Sequence, residues 1–312
     1  MKKIEKKYLS SIFKELERKN IAELDIYFIS DLSSLNALRV ILYKYSLSIL
    51  FYKERILLDN EEEDLHQFRI NIRKSRAFLK EFDFIFPKKD HVHFYDNLSR
   101  FATKTNQKRD LDVIKNRLLQ LDETHNTIQK NIKQQQIHEQ QDIQEMLRSK
   151  KFKKFFLSYQ DTLKGERLFT GKNNKDSIEY TAKKVIKKLH HKIVKKINVL
   201  EKDYDNNKLH KIRISFKKLR YLLEEFQHIF GEDKIEKMIK KGKKLQTLLG
   251  DINDTVNQTK LLHGYFQSNS SNLSKDIKLE NKLHKSTLKR QKKLVRKAMK
   301  ELHKFQEQTL KL

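Results

Sequence analysis

Cysteine is absent from this 312-residue chain. Its absence excludes disulfides, thiolate metal sites and cysteine nucleophiles. Glycine and proline are scarce, with six Gly and one Pro, and no Gly before Gly165. Hairpins and sheets draw on those residues for their turns, whereas long helices joined by short polar links need few. No run of about 18 apolar residues occurs, so no membrane insertion is expected. The start, Met1-Lys2-Lys3-Ile4-Glu5-Lys6-Lys7, leads into no apolar segment and does not read as a signal peptide. A cytoplasmic location is the expectation. No Gly-x-x-x-x-Gly-Lys-Ser/Thr phosphate loop is present, and no carboxylate cluster outside Glu61-Glu62-Glu63-Asp64. That cluster stands just before a helix, where it complements the helix dipole. The chain is therefore expected to be no enzyme, with no catalytic residues, no cofactor and no bound metal.

What is present is positive charge. Sixty-nine Lys and Arg face 41 Asp and Glu, a formal charge of +28. Such a surplus costs self-repulsion and attracts polyanions, whether nucleic acid, anionic lipid or an inorganic phosphate polymer. The plainer alternative is a basic surface that is merely solvated. Leu, Lys, Ile, Glu and Gln dominate the composition, in line with an all-α fold.

The sequence carries an internal repeat. Residues 65–86 read LHQFRINIRKSRAFLKEFDFIF and residues 209–230 read LHKIRISFKKLRYLLEEFQHIF, identical at eleven of 22 positions with an offset of 144. The same offset relates Pro87 to Gly231, each a helix stop, and Arg109-Asp110 to Asn253-Asp254. Two structural repeats are expected, 33–118 and 177–262. Between them, 119–176 reads as one long connecting helix, Gln-rich early and core-facing late at Phe152, Phe155, Phe156 and Tyr159, followed by a loop from Gly165 to Ser177. A second loop is expected at 263–274, a basic amphipathic helix at 275–312, and an added helix within 1–31.

With residue 65 at heptad position a, the a and d positions hold Leu65, Phe68, Ile72, Ser75, Leu79, Phe82 and Phe86, and in the second copy Leu209, Ile212, Phe216, Leu219, Leu223, Phe226 and Phe230. This is the seam of a helix packed on a partner. The cations His66, Arg69, Arg73 and Arg76 occupy b, e, b, e, as do His210, Arg213, Lys217 and Arg220. Those positions border the seam on one side and the apolar f positions on the other: Ile70, Ala77 and Phe84, then Ile214 and Tyr221. The stripe reads as the wall of a groove, and Arg at three of the four sites in the first copy suits bidentate oxyanion binding. The competing role is pairing with carboxylates of neighbouring helices, for which Asp110 and Asp254 are candidates. His91, His93, His190 and His191 read as surface residues.

The two helices LHQFRINIRKSRAFLKEF and LHKIRISFKKLRYLLEEF resemble the signature helices of the CHAD domain, the conserved-histidine α-helical domain. Arg109-Asp110-Leu111-Asp112-Val113 and the stretch Leu245 to Asp254 resemble two further motifs of that family, in the expected order. The resemblance covers residues 32–305. It implies two four-helix-like bundles related by a pseudo-twofold axis, with a basic groove between them. It also implies inorganic polyphosphate as partner and a place at polyphosphate granules. It places the binding positions at His66, Arg69, Arg73, Lys74, Arg76, His210, Arg213, Lys217, Lys218 and Arg220. Lys217 and Lys218 stand where the family more often has Arg. Many relatives carry a CYTH triphosphatase domain ahead of this one. Lys3-Ile4-Glu5-Lys6-Lys7 matches its opening only faintly, and about 30 residues are too few for that barrel, so the catalytic half is expected to be absent.

Secondary contributors are expected at Arg39, Lys104, Lys108 and Arg109 in the first half and at Lys183, Lys187, Lys240 and Lys244 in the second. Binding would proceed by release of condensed counterions. The alternatives are an RNA- or DNA-binding helical protein and a scaffold that docks a protein through 275–312. The lack of Trp, with Phe mainly on the seam, disfavours base stacking.

Overall fold

The computed structural model describes residues 2–21, 24, 30–59, 61–119, 126–165, 176–269 and 274–307. Among them the chain is all-α. Its helices are α1 (Lys2–Arg18), α2 (Ser34–Leu58), α3 (Glu62–Glu81), α4 (Lys88–Lys104), α5 (Asn106–Leu119), α6 (Asn126–Arg148), α7 (Lys150–Lys164), α8 (Ile178–Lys202), α9 (Asn206–Phe230), α10 (Glu232–Asn269) and α11 (Ser274–Gln306). The one extended pairing among these residues is an isolated antiparallel bridge between Ser33 and Ser177. Ser34 N–H donates to Asp176 O at 2.9 Å and Ile178 N–H to Leu32 O at 2.8 Å, on either side of that bridge. The chain forms two compact units, one of residues 1–109, 133–185 and 228–230, the other of 110–132, 186–227 and 231–312.

The first unit is built on α2, whose residues from Ala37 to Ser46 are all buried. A helix apolar on nearly every side has to be surrounded, and α1, α3 and α7 pack on it. The α3 seam behaves as its spacing requires. Leu65, Phe68, Ile72, Ser75 and Leu79 are buried, and so are Phe82 and Phe86 beyond the helix end. The α3 helix is shorter than its sequence period suggests: it stops at Glu81, a 3-10 turn follows at Asp83–Ile85, and Pro87 then caps α4. At the other end Asp64, almost wholly buried, accepts from Arg55 Nε at 2.6 Å and ties the end of α2 to the start of α3.

The connecting segment is two helices, not one. Ser149 interrupts it, its hydroxyl accepting from Phe152 N–H at 3.2 Å as the N-cap of α7. The aromatic face expected there is core. Phe152 lies against Phe101 at 4.8 Å between ring centroids, and Tyr159 against Phe94 at 4.7 Å. The C-terminal end of α7 is capped from α2. Arg39, buried at 7% exposure, donates to Leu163 O, Lys164 O and Gly165 O at 2.7, 2.8 and 2.7 Å, and to Asn36 Oδ1. Most of the loop expected between Gly165 and Ser177 lies outside the described residues.

In the second unit α9 carries a seam of the same spacing, with Leu209, Ile212, Phe216, Leu219, Leu223 and Phe226 buried; Phe230 at its end, which belongs to the first unit, is half-buried. Asp205 caps its start and Gly231 ends it at φ +89°, a left-handed conformation that suits glycine. The loop expected from 263 begins later, because α10 continues to Asn269. Leu261, Leu262, Tyr265 and Phe266 keep helical spacing, and a single interior glycine, Gly264, costs about 1 kcal/mol without ending a helix. The α11 helix packs on α10 and buries Ala298, Leu302 and Phe305. Phe305 meets Phe216 at 4.7 Å and His190 at 4.9 Å. His190 is therefore not the surface residue its polarity suggests, and burial holds its pKa below the ordinary value, with His191 adding to the effect. His91 is also half-buried, its Nε2 lying 3.1 Å from Leu79 O. His93 is exposed.

Candidate functional site: the basic faces of α3 and α9

In the first unit the α3 stripe gathers cations around His66. The imidazole is held below its ordinary pKa, first by desolvation and then by the charges of Arg73, Arg109 and Arg69, with Glu63 opposing them. Three guanidiniums from two helices, α3 and α5, thus place their field on one imidazole. Arg73 and Arg109 are half-buried, and neither forms an ion pair among the described residues. Arg69 reaches the α4–α5 junction. It donates to Ala102 O at 3.3 Å, to Thr105 Oγ1 and to Asn106 Oδ1 at 2.9 Å. These acceptors fix its direction without removing its charge. Arg76 lies over the Tyr95 ring at 5.1 Å, and Lys74 over Tyr45 at 5.5 Å.

The α9 stripe differs in its neighbours. His210 Nδ1 is hydrogen-bonded to Asn253 Oδ1 on α10. Arg213 is buried and 3.9 Å from the Asp254 carboxylate, the pairing partner foreseen from sequence. Arg220 lies over Tyr221 at 5.1 Å and contacts Glu224 at 3.3 Å, a carboxylate that Lys243 also approaches at 3.8 Å. Lys217 and Lys218 are half-buried. The apolar border is incomplete: Ala77 and Tyr221 are buried, but Phe84 is 44% exposed and Ile214 42%. The cause differs at each. Phe84 stands in the 3-10 turn after α3 has ended, whereas Ile214 opens to solvent within α9.

The secondary positions divide. Arg39 is occupied by the α7 cap. Lys240 pairs with Glu236 at 2.7 Å and Lys244 with Glu301 at 3.2 Å, and each lysine holds its partner's carboxyl below the usual range. Lys104 and Lys187 are exposed, Lys183 is half-buried and Lys108 is buried. Sequence reasoning did not single out Lys196, which donates to Ser215 Oγ at 2.7 Å and Lys211 O at 3.2 Å beside the α9 stripe. It also passed over Thr105 and Asn106, although these polar residues break the pattern between two helices. Among the described residues no group of three His, Asp or Glu side chains is placed to hold a metal ion, and no helix is long and apolar enough to cross a membrane.

An all-α fold with two basic helix faces, each led by a histidine, defines a class of protein. The fold is that of the CHAD domain from the plant Ricinus communis, with a TM-score of 0.75, 20% identity, and coverage of 89% of this chain and 94% of that one. PptA from Streptomyces chartreusis is similar in fold, with a TM-score of 0.64, 11% identity, and coverage of 88% and 100%. The family model for the CHAD domain matches residues 45–263, so the chain belongs to the CHAD domain family. No curated protein matches it by sequence.

Proposed function

We propose that the chain binds inorganic polyphosphate through the basic faces of α3 and α9, without turning it over, and that this places it at polyphosphate granules. The observation that carries the reading is the basic face of α3 with Arg109 of α5: Arg73 and Arg109 are half-buried without an ion pair among the described residues, Arg69 is held by Thr105 and Asn106, and the charges of all three bear on His66 against that of Glu63. Such a field suits a ligand that offers many oxyanions and no bases. Guanidiniums bind those oxyanions in pairs, and His66 joins them once protonated. A linear polyanion along the stripe frees condensed cations, so affinity falls steeply with salt. Calorimetric titration with polyphosphates of graded length at two salt concentrations tests this. Affinity should rise with chain length and fall with salt, and no orthophosphate should be released on prolonged incubation. Displacement of long-chain polyphosphate by single-stranded RNA at equal phosphate concentration would contradict the proposal.

The neighbours of the two faces set their relative weight. Asp254 and Glu224 lie against the α9 cations and compete with a ligand, whereas Arg73 on α3 forms no ion pair among the described residues. Arg73→Ala should therefore weaken polyphosphate binding by about tenfold, one charge-assisted contact. Lys217→Ala, its counterpart by sequence offset, should cost less than threefold. Equal losses would refute the asymmetry.

Binding should also depend on pH. In the free protein His66 has a lowered pKa and is neutral near pH 7. A bound polyanion raises that pKa, so binding takes up a proton and affinity increases as pH falls from about 7.5 to about 5.5. Proton uptake, read by calorimetry in buffers of different ionisation enthalpy, should diminish in His66→Gln. The stability of the free protein moves the other way. The unfolded chain protonates its histidines first as pH falls through about 6.5, so the share of His66 and His190 in stability is present above that pH and lost below it.

A further inference from the structure

The α11 helix has an outward face that the proposed polyphosphate site does not use. From Asn281 to Lys300 it carries nine Lys and Arg and no Asp or Glu. Lys285, Lys289, Lys293, Arg296, Lys297 and Lys300 are exposed, as are Arg290 and Lys292. At 100° per residue, all the exposed cations from Lys285 to Lys300 fall within an arc of about 160° and a length of roughly 22 Å. The opposite arc holds Ala298, Leu302 and Phe305 and is buried. Some exposed lysines elsewhere have an acid one turn away, as Lys19 has Glu15 and Lys240 has Glu236. Between Lys285 and Lys300 no residue forms an ion pair among the described residues, and the first carboxylate met is Glu301. Like charges at i,i+3 and i,i+4 destabilise a helix. Here Lys285, Lys289, Lys293 and Lys297 follow one another at i,i+4 with nothing between them to offset the repulsion. The helix is held instead by its apolar side and presents the row as a rigid array.

We infer that the outward face of α11 is a second polyanion surface, which fits the phosphate backbone of a duplex nucleic acid. The width of the arc favours a ligand with two rows of phosphates over one thin chain, and a major groove about 12 Å wide presents such rows on either side of a helix. A duplex carries about one charge per 1.7 Å, enough to meet every cation over this length. No aromatic residue lies between Lys285 and Lys300, so bases have nothing to stack on and single strands are disfavoured. Lysines outnumber arginines on this face, which suits point-charge contact with phosphate and no reading of sequence. An interfacial membrane helix would offer its apolar side to lipid, but that side of α11 is already covered by protein.

The test uses the full chain and a labelled DNA duplex of roughly 20 base pairs, read by fluorescence anisotropy at several salt concentrations. The quadruple variant Lys289→Gln, Arg290→Gln, Lys293→Gln, Lys297→Gln should bind the duplex at least tenfold more weakly and with a shallower salt dependence. Its far-ultraviolet circular dichroism and its polyphosphate affinity should stay within twofold of the parent. A variant with Arg in place of the three lysines should keep duplex binding. Conversely, Arg73→Ala should leave duplex binding intact, which separates this surface from the polyphosphate site. Unchanged duplex binding in the glutamine variant overturns the inference. So does single-stranded DNA binding as tightly as the duplex, or phosphatidylserine vesicles binding through α11 where the duplex does not.

Discussion

Reversing two charges, Arg73→Glu with Arg109→Glu, should reduce polyphosphate affinity by at least about a hundredfold. Each charge-assisted contact contributes about 1.5–3 kcal/mol, and about 1.4 kcal/mol is a factor of ten. Two contacts alone reach that loss, before the added glutamates repel the ligand. The two residues come from different helices, α3 and α5, and act on one imidazole, that of His66. Both are half-buried, and neither forms an ion pair among the described residues, so the change leaves no buried partner stranded and helicity should be retained. The salt dependence should become shallower, since fewer counterions are released. A variant that keeps its circular dichroism, its affinity and its salt slope would show that polyphosphate does not lie on this face. A variant that loses helicity would show that the two arginines serve the fold. The same substitutions at Arg69 would be harder to interpret, because its bonds to Thr105, Asn106 and Ala102 O also hold the α4–α5 junction.

The helical class was legible because the sequence lacks the residues that other classes require. The α3 and α9 seams were legible because a 3–4 spacing of Leu, Ile and Phe has one economical use, and all but one of those fourteen positions are buried. Local breaks were harder to read. Ser149 stops one helix and starts the next, yet a lone serine in a polar, helix-forming stretch is a weak signal until its hydroxyl is seen on Phe152 N–H. Gly264 misled in the opposite direction. For the cations, sequence gave the stripe but not the neighbours. Arg213 and Arg69 hold matching positions in the two similar helix sequences, yet one lies by the Asp254 carboxylate and the other bonds a threonine, an asparagine and a carbonyl. That distinction depends on which residues another helix delivers, and spacing along one helix does not contain it.

Arg39 shows how far a cation's role can depart from its charge, and its removal should cause the largest loss of stability among the basic residues discussed. It sits in the buried stretch of α2 and sends its guanidinium to three carbonyl oxygens at the end of α7, 124 to 126 residues away. Those oxygens have no partner further along their helix, and a cation there also complements the helix dipole. Arg39→Ala strands several of these groups at about 1–3 kcal/mol each, so a total loss of about 3–5 kcal/mol is expected, the range for breaking a buried charged network. Arg39→Lys should recover only part of it, because one ammonium cannot span three acceptors in a fixed fork. Urea unfolding supplies the midpoint shift. Hydrogen exchange should locate the first loss of protection in α7, whose aromatic face would loosen from Phe94 and Phe101. Polyphosphate affinity per folded molecule should be unchanged, the reverse of the Arg73→Glu, Arg109→Glu pair. If Arg39→Ala instead unfolds like the parent and binds less, then Arg39 faces the ligand and the capping account of α7 is wrong.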